Sequence, residues 1–283
     1  MIVSEALREA AARLEAVSDT GRLDAELLMA EALGVTRSDL LLRRMGDETP
    51  EGFEGLVERR LQHEPVAQIL GRKEFYGREF RVGRAVLIPR ADSETIVQAA
   101  LEVAAAPGRL LDLGTGSGAL LLTLLAECPQ AVGVGIDASA AALEVASANA
   151  EALGLAGRAR MLCRDWDEPG WGDDLGRFDL VVANPPYVEE SADLAPSVRD
   201  YEPAEALYAG PEGLDAYRTL IPQLSALLAP EGAAVFEIGP TQAENVAQIA
   251  AAAGFFSELR RDLANRPRAL ILRLRLGKEP ESG

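Results

Sequence analysis

The sequence predicts an α/β protein with a mostly parallel sheet covered by helices on both faces. A small helical domain precedes the sheet, and a β-hairpin joins the two. Three observations predict this class. From Arg109 onward, short apolar runs of strand length alternate with longer segments of helical periodicity. Before position 70, apolar residues recur at helical spacing in a background of Ala, Leu, Glu and Arg. Between these regions, KEFYGREFRVGRAVLI is rich in aromatic and β-branched residues and is divided by Gly77 and Gly83. The boundaries that follow are a helical domain at 1–72, a hairpin linker at 73–90 and a sheet domain at 91–283.

Each element has its own signal. Ile2–Val17 and Asp24–Leu33 read as amphipathic helices. Thr36 or Ser38 caps a short helix that Gly46 follows. Pro89 ends the hairpin because it brings no N–H to a ladder, and Asp92 or Ser93 caps a helix over Glu94–Ala105. RLLDLG is a short buried strand, GALLLTLLAE a helix, AVGVGID a strand, and SAAALEVASANAEALG a helix ending at Gly154. ARMLCRD and FDLVVAN are further strands. GLDAYRTLIPQLSALLAP is a helix, GAAVFEIG a strand and QAENVAQIAAAAG a helix. FSELRRDL and RALILRLRL close the chain as an antiparallel pair, and the tail Gly277–Gly283 is expected to fray.

Composition narrows the function classes. The 283 residues are 48% hydrophobic and 26% charged, ordinary values for a soluble globular protein. No apolar run is long enough for a bilayer, and the start, MIVSEALREAAARLE, lacks the basic-then-apolar order of a signal peptide. Cys128 and Cys163 are far apart and read as two buried free thiols, which together with the absent targeting segment points to the cytoplasm. His63 is the only histidine, so neither a histidine-based metal centre nor a Ser-His-Asp triad is expected, and no metal is assigned. The net charge of −17 opposes broad contact with nucleic acid. It is uneven: residues 1–90 carry 14 basic and 16 acidic side chains, the remainder 14 and 29. Arginine pairs such as Arg43-Arg44 and Arg59-Arg60 read singly as solvated helix faces. Together they leave room for a macromolecular partner at the front of the chain.

Four motifs carry chemistry, and all fall at carboxyl ends of predicted strands, where ligands of open α/β sheets lie. The first is Asp112-Leu113-Gly114-Thr115-Gly116-Ser117-Gly118, between a strand and a helix. It allows close backbone approach to a nucleotide-like cofactor, and with Ala119 it also satisfies the looser dinucleotide fingerprint. Asp137 ends the next strand and suits the two hydroxyls of a ribose, while Ser139 is available to cap the following helix. Dinucleotides and S-adenosylmethionine both contain such a ribose, so Asp137 does not separate them. Asp165-Trp166, after Arg164, can meet an adenine amino group and its ring, or Trp166 can simply fill a gap between elements.

The fourth motif is Asn184-Pro185-Pro186-Tyr187. Proline biases Asn184 to an extended backbone, and the two prolines hold a stiff corner. The Asn184 Oδ1 and the Pro185 carbonyl can accept both hydrogens of a planar NH2 group, and the Tyr187 ring can stack on its plane. Such nitrogens are poor nucleophiles, so positioning and hydrogen bonds strengthened in the transition state serve better than a strong base. In isolation the tetrapeptide would read as a rigid loop corner. After the glycine turn and Asp137, in that order, it reads as a site.

These segments, with EPVAQILGRKEFYGREFRV, VLIPRADSET, YEPAEAL, GPEGLDAYR and FEIGPTQ, resemble the release factor glutamine-N5 methyltransferases over nearly the whole chain. Asn-Pro-Pro-Tyr alone is shared with amino-adenine DNA and rRNA methyltransferases; its combination with Leu87-Ile88-Pro89-Arg90 and the helical front is more specific. The resemblance implies a Rossmann-like class I methyltransferase sheet. It implies S-adenosyl-L-methionine as cofactor, leaving S-adenosyl-L-homocysteine, and the Gln of Gly-Gly-Gln in class I peptide chain release factors as substrate. It places Gly114, Thr115, Gly116, Ser117 and Gly118 at the methionine part, Asp137 at the ribose, Asp165 and Trp166 at the adenine, and Asn184 at both cofactor and substrate. Asn184, Pro185, Pro186 and Tyr187 would hold the glutamine amide as the catalytic set. The helical front would help bind the release factor. A monomer in the cytoplasm, with no membrane and no stable nucleic-acid complex, is expected. Two departures stand out: Ala91 occupies the position after Pro89-Arg90 where the family usually has proline, and Asn265 replaces an expected glycine. A ribosomal-protein glutamine methyltransferase, an amino-group nucleic-acid methyltransferase, an NAD-dependent dehydrogenase and a noncatalytic S-adenosylmethionine sensor are the competing readings.

Overall fold

The computed structural model describes residues 1–275, and the expected fraying of Gly277–Gly283 lies outside them. The chain divides into two compact units, one of residues 1–73, 82–84 and 194–202, the other of 74–81, 85–193 and everything from Pro203. Among the described residues no helix is long and apolar enough to cross a membrane.

The first unit is helical. It holds α1 (Val3–Leu14), α2 (Gly21–Leu33), α3 (Arg37–Asp39), α4 (Phe53–Leu61) and α5 (Val66–Leu70), with a π-turn at Leu40–Arg44. Val3, Leu7, Ala10 and Leu14 repeat at helical spacing and bury one face of α1 against Leu28, Met29, Phe53 and Val57. Thr36 caps α3 by accepting from the Asp39 N–H. One ion pair lies inside this core: Arg60 Nε meets Asp24 Oδ2 at 2.8 Å, and Asp24 also accepts from Ser18 and Thr20. Leu194–Glu202, containing α9 (Pro196–Arg199), also belongs to this unit, although it lies within the stretch expected to form the sheet domain. Gln68 Nε2 donates to the Tyr201 carbonyl, the Tyr201 hydroxyl to the Gln62 carbonyl, and the Arg84 guanidinium lies 4.7 Å above the Tyr201 ring.

The hairpin is shorter than its apolar pattern suggests. β1 (Arg72–Phe75) and β2 (Arg78–Arg81) are joined by Tyr76 and Gly77, both with positive φ, the turn that suits the twist of paired strands. Residues 82–90, expected to continue the hairpin, form no strand. Val86 and Ile88 are buried alternately, which imitates a strand without a partner.

In the second unit the sheet runs in the order β5-β4-β3-β6-β7-β9-β8. Its members are β3 (Arg109–Leu113), β4 (Val132–Asp137), β5 (Ala159–Cys163), β6 (Phe178–Ala183), β7 (Leu228–Glu237), β8 (Phe255–Arg261) and β9 (Pro267–Leu274). The first five are parallel, and β9 pairs antiparallel with both neighbours, as the closing segments predict. α6 (Glu94–Val103), α7 (Ala119–Glu127) and α8 (Ala140–Ala152) pack with Leu110, Leu180 and Val182 in one core. α10 (Asp215–Leu227) and α11 (Ala243–Ala252) pack with Leu111, Leu113, Val181 and Ala183 in the other. This period-two division of β3 and β6 is what a sheet covered on both faces requires. The order reverses at β3, which has β4 on one side and β6 on the other, so the loops leaving β3 and β6 open a crevice.

Two local expectations are corrected. Ser93 stands at the N-cap of α6 as expected but makes no side-chain capping bond, since a 3-10 turn at Ala91–Ser93 leads into the helix, and the Asp92 carboxylate accepts from Arg266 and Arg268 instead. Both cysteines are free, but only Cys128 is buried; Cys163 is exposed because β5 is an edge strand. Asn265 has φ 62, so it holds the left-handed turn expected of a glycine there.

Candidate active site

β3 ends at Leu113, and the next five residues form a tight turn before α7. Gly114, Gly116 and Gly118 all have positive φ, and the Gly118 N–H donates to the Thr115 carbonyl at 2.8 Å. Gly114 has a second constraint. A Cβ there would lie 3.2 Å from the Trp166 ring, so any larger residue would push the indole away. Asp137, at the end of β4, braces this turn: its Oδ2 accepts from the Gly116 N–H and its Oδ1 from the Ser139 N–H, both at 2.9 Å. Ser139 caps α8 through its own hydroxyl, which leaves both Asp137 oxygens with unused lone pairs.

A cavity of about 590 Å³ opens over these ends of the strands. Gly114, Thr115, Gly116, Ser117, Asp137, Asp165, Trp166, Asn184 and Pro186 line it. Gly118, Pro185 and Tyr187, also assigned to the site from sequence, are not in its wall. Pro185 is buried, and the Tyr187 hydroxyl donates to Glu237 Oε1 at 3.3 Å. Trp166 takes both roles considered for it, since it lines the cavity and packs on the apolar cluster that contains Trp171.

Asn184 follows directly on β6, whose last residue, Ala183, pairs with Leu113 and Phe236. Its Oδ1 is buried and has no hydrogen-bond partner among the described residues. A buried amide oxygen without a partner is costly, and this one belongs to a side chain that lines the cavity, so a ligand donor is its natural partner.

Asp112 opens the first motif but was given no role there, and Glu205 was not assigned to the site, yet both line it. Burial drives the Asp112 carboxyl up to about 7, the Thr115 hydroxyl offsets part of that effect, and the charge of Asp137 adds to it. A lone acid in the apolar run RLLDL was the available signal. With Asp137, Asp165, Asp167 and Glu205, five carboxyl side chains face the cavity, and no Lys or Arg is among the residues lining it. This wall favours a cationic ligand and disfavours the pyrophosphate of a dinucleotide. It thereby separates the two cofactors that the glycine turn and Asp137 leave open, and it fits the sulfonium and ammonium groups of S-adenosylmethionine.

Residues 5–71 match the family described as PrmC N-terminal domain, and residues 92–199 the family described as Methyltransferase small domain. A release factor glutamine methyltransferase of Rhodospirillum rubrum is 43% identical over 90% of this chain and 79% of its own length. One of Cereibacter sphaeroides is 41% identical over 97% of this chain and 99% of its own. Among solved structures, a methyltransferase from Pyrococcus furiosus superposes with a TM-score of 0.51 at 16% identity, covering 76% of this chain and 95% of that one. The catalytic domain of hMettl16 gives 0.57 at 14% identity, with 75% and 82% covered. These two likenesses establish the class I methyltransferase fold.

Proposed function

We propose the function from one premise: the chain belongs to the release factor glutamine methyltransferase family. It is an S-adenosylmethionine-dependent methyltransferase that acts on the N5 side-chain amide of the glutamine in the Gly-Gly-Gln motif of class I peptide chain release factors. The observation that carries the site assignment is the partnerless buried Oδ1 of Asn184 in the wall of an acidic cavity.

S-adenosylmethionine supplies an electrophilic methyl group on a sulfonium. In our reading the backbone of Gly114–Gly118 lies along the methionine part, Asp137 accepts from the ribose hydroxyls, and Asp165 and Trp166 hold the adenine. Asn184 Oδ1 and the Pro185 carbonyl accept the two hydrogens of the glutamine amide. They orient its nitrogen and favour its pyramidalisation as the bond to carbon forms. Pro186 stiffens this corner, and the Tyr187 ring covers the amide plane and excludes water. A dry site helps because the sulfonium charge disappears in the transition state. The proton leaves to solvent, and no side chain is assigned as a base.

Residues 1–72 form the release-factor-binding domain in this reading, 73–90 the linker and 91–283 the methyltransferase domain. A substrate that works in translation puts the reaction in the cytoplasm. The enzyme acts as a monomer, and its charge of −17 argues against a stable complex with nucleic acid.

The test is transfer of labelled methyl from S-adenosylmethionine. A class I release factor, its Gln→Ala variant in Gly-Gly-Gln, a ribosomal-protein pool, RNA and DNA are supplied in parallel. Label on the unmodified factor alone is expected. Label on a ribosomal protein or nucleic acid would overturn the substrate and keep the cofactor site.

A further inference from the structure

Two motifs of the chain, GPEGLDAYR and FEIGPTQ, hold no place in the cavity wall. The structure brings both together behind Tyr187. Glu237, the last residue of β7, is one position beyond the Ala183–Phe236 pair and so lies beside the Asn184 corner. Its side chain is buried, and its Oε1 accepts from the Tyr187 hydroxyl at 3.3 Å. Its carbonyl accepts from the buried Tyr217 hydroxyl at 2.8 Å, which fixes the end of the strand to α10. Gln242 holds the other side. Its Nε2 donates to the carbonyls of Tyr187 and Gly213, both at 3.0 Å, and its Oε1 accepts from the Gly239 N–H. A Cβ on Gly213 would stand 2.3 Å from the Tyr187 carbonyl oxygen, so the backbones at this contact meet as closely as glycine permits.

Behind Glu237 lies a charged layer. The buried Arg268 reaches Asp92 at 2.8 Å, with Asp262 at 3.8 Å and Glu237 at 3.9 Å. Arg268 is therefore held chiefly by Asp92, and Glu237 interacts with both the Ser93 hydroxyl and the Tyr187 hydroxyl. Burial raises the carboxyl of Glu237 above its usual range, so it holds a proton more readily than a free carboxyl, and in either state a carboxyl oxygen can accept from a phenol.

We infer that Glu237 is a positioning residue for methyl transfer, fixing the Tyr187 ring through its hydroxyl so that the ring presents a set face to the glutamine amide. The inference rests on the acceptor site proposed above. Packing against the neighbouring apolar cluster confines the ring, and the hydroxyl bond adds the anchor at its far end; a small misplacement of a substrate-holding group costs rate without touching the cofactor. Glu237 forms no bond to substrate in this scheme; it acts through Tyr187.

The variants are Glu237→Leu, Glu237→Gln, Tyr187→Phe and the Glu237→Leu/Tyr187→Phe pair in the full chain. Methylation of a class I release factor is measured with kcat and KM separated, and S-adenosylmethionine affinity by calorimetry. A 3-fluorotyrosine label at position 187 reports the ring by 19F NMR without any acceptor. Glu237→Leu and Tyr187→Phe are each expected to lower kcat/KM for the factor about tenfold or more, with cofactor affinity within about twofold. Glu237→Gln retains an acceptor oxygen and restores most of the rate. The double variant is no worse than the poorer single one, because both remove the same bond. The fluorine line shifts or broadens in Glu237→Leu and stays near its wild-type position in Glu237→Gln. The inference is overturned if Glu237→Gln is as impaired as Glu237→Leu, if the two losses multiply, or if the line is unmoved in Glu237→Leu. Should Glu237→Leu not fold, unchanged turnover in Tyr187→Phe overturns it and reduced turnover, with cofactor affinity kept, supports it. A wild type inactive on release factors refutes the substrate assignment, while the fluorine measurement still decides the role of Glu237.

Discussion

Asn184 and Asp112 show how the same wall serves different ends. Asn184 carries a neutral acceptor that the protein leaves unpaired, and its value lies in a ligand donor. In Asn184→Ala we expect kcat/KM to fall by about 10²–10³, the loss typical of one donor or acceptor aimed at the reacting group. Cofactor affinity should fall by less than about tenfold. Single-turnover label transfer beside calorimetry separates the two. Asp112 is a charge that its buried position disfavours. Its carboxyl lies at about 7 in the folded state against 3.8 for the free group, because burial penalises the ionised form. The folded protein therefore binds more protons at this position than the unfolded chain does between those two values. Its contribution to stability falls as pH rises through that window and levels off above about 7. Asp112→Asn removes the dependence. Urea unfolding of both proteins from pH 5 to 8 should show the variant gaining on the wild type as pH rises; a constant difference would refute the shift.

At the level of elements, the turn after β3 and the corner after β6 owe their shapes to different causes. The turn is held by local chemistry: positive φ at Gly114, Gly116 and Gly118, and Asp137 on the Gly116 N–H. It was readable because glycine and aspartate have narrow reasons to occur in that order. The corner's prolines were equally readable, but its anchorage to Glu237 and Gln242 was not, since those residues are about fifty positions away. The helical elements of the first unit depend on a similar distant pair. Asp24 on α2 and Arg60 on α4 are buried together at 2.8 Å. Asp24→Ala leaves the guanidinium buried without its partner and should cost about 3–5 kcal/mol by denaturant unfolding of the full chain. A loss below about 1 kcal/mol would mean that water replaces the carboxylate.

Across the whole molecule, charge and chain connectivity set what local patterns cannot. The part of the chain beyond residue 90 carries the acidic excess, and the wall of its cavity is itself acidic. Rising ionic strength should therefore weaken S-adenosylmethionine, which carries a sulfonium, more than S-adenosylhomocysteine, which does not. Calorimetry of both ligands at low and high salt measures the difference, and equal slopes would refute it. The alternation of strand and helix determined the α/β class, the parallel run, the antiparallel close and the crevice at the switch point. Those follow from periodicity and from the short-range needs of glycine, proline and caps, which act within a few residues. Only the tertiary structure decided that 82–90 is not a strand, that Leu194–Glu202 joins the helical unit, that Asp112 and Glu205 reach the cavity, and that Glu237 holds Tyr187. In each case the deciding partner is remote in the chain, and whether a polar atom is buried, paired or left open depends on what the fold brings against it.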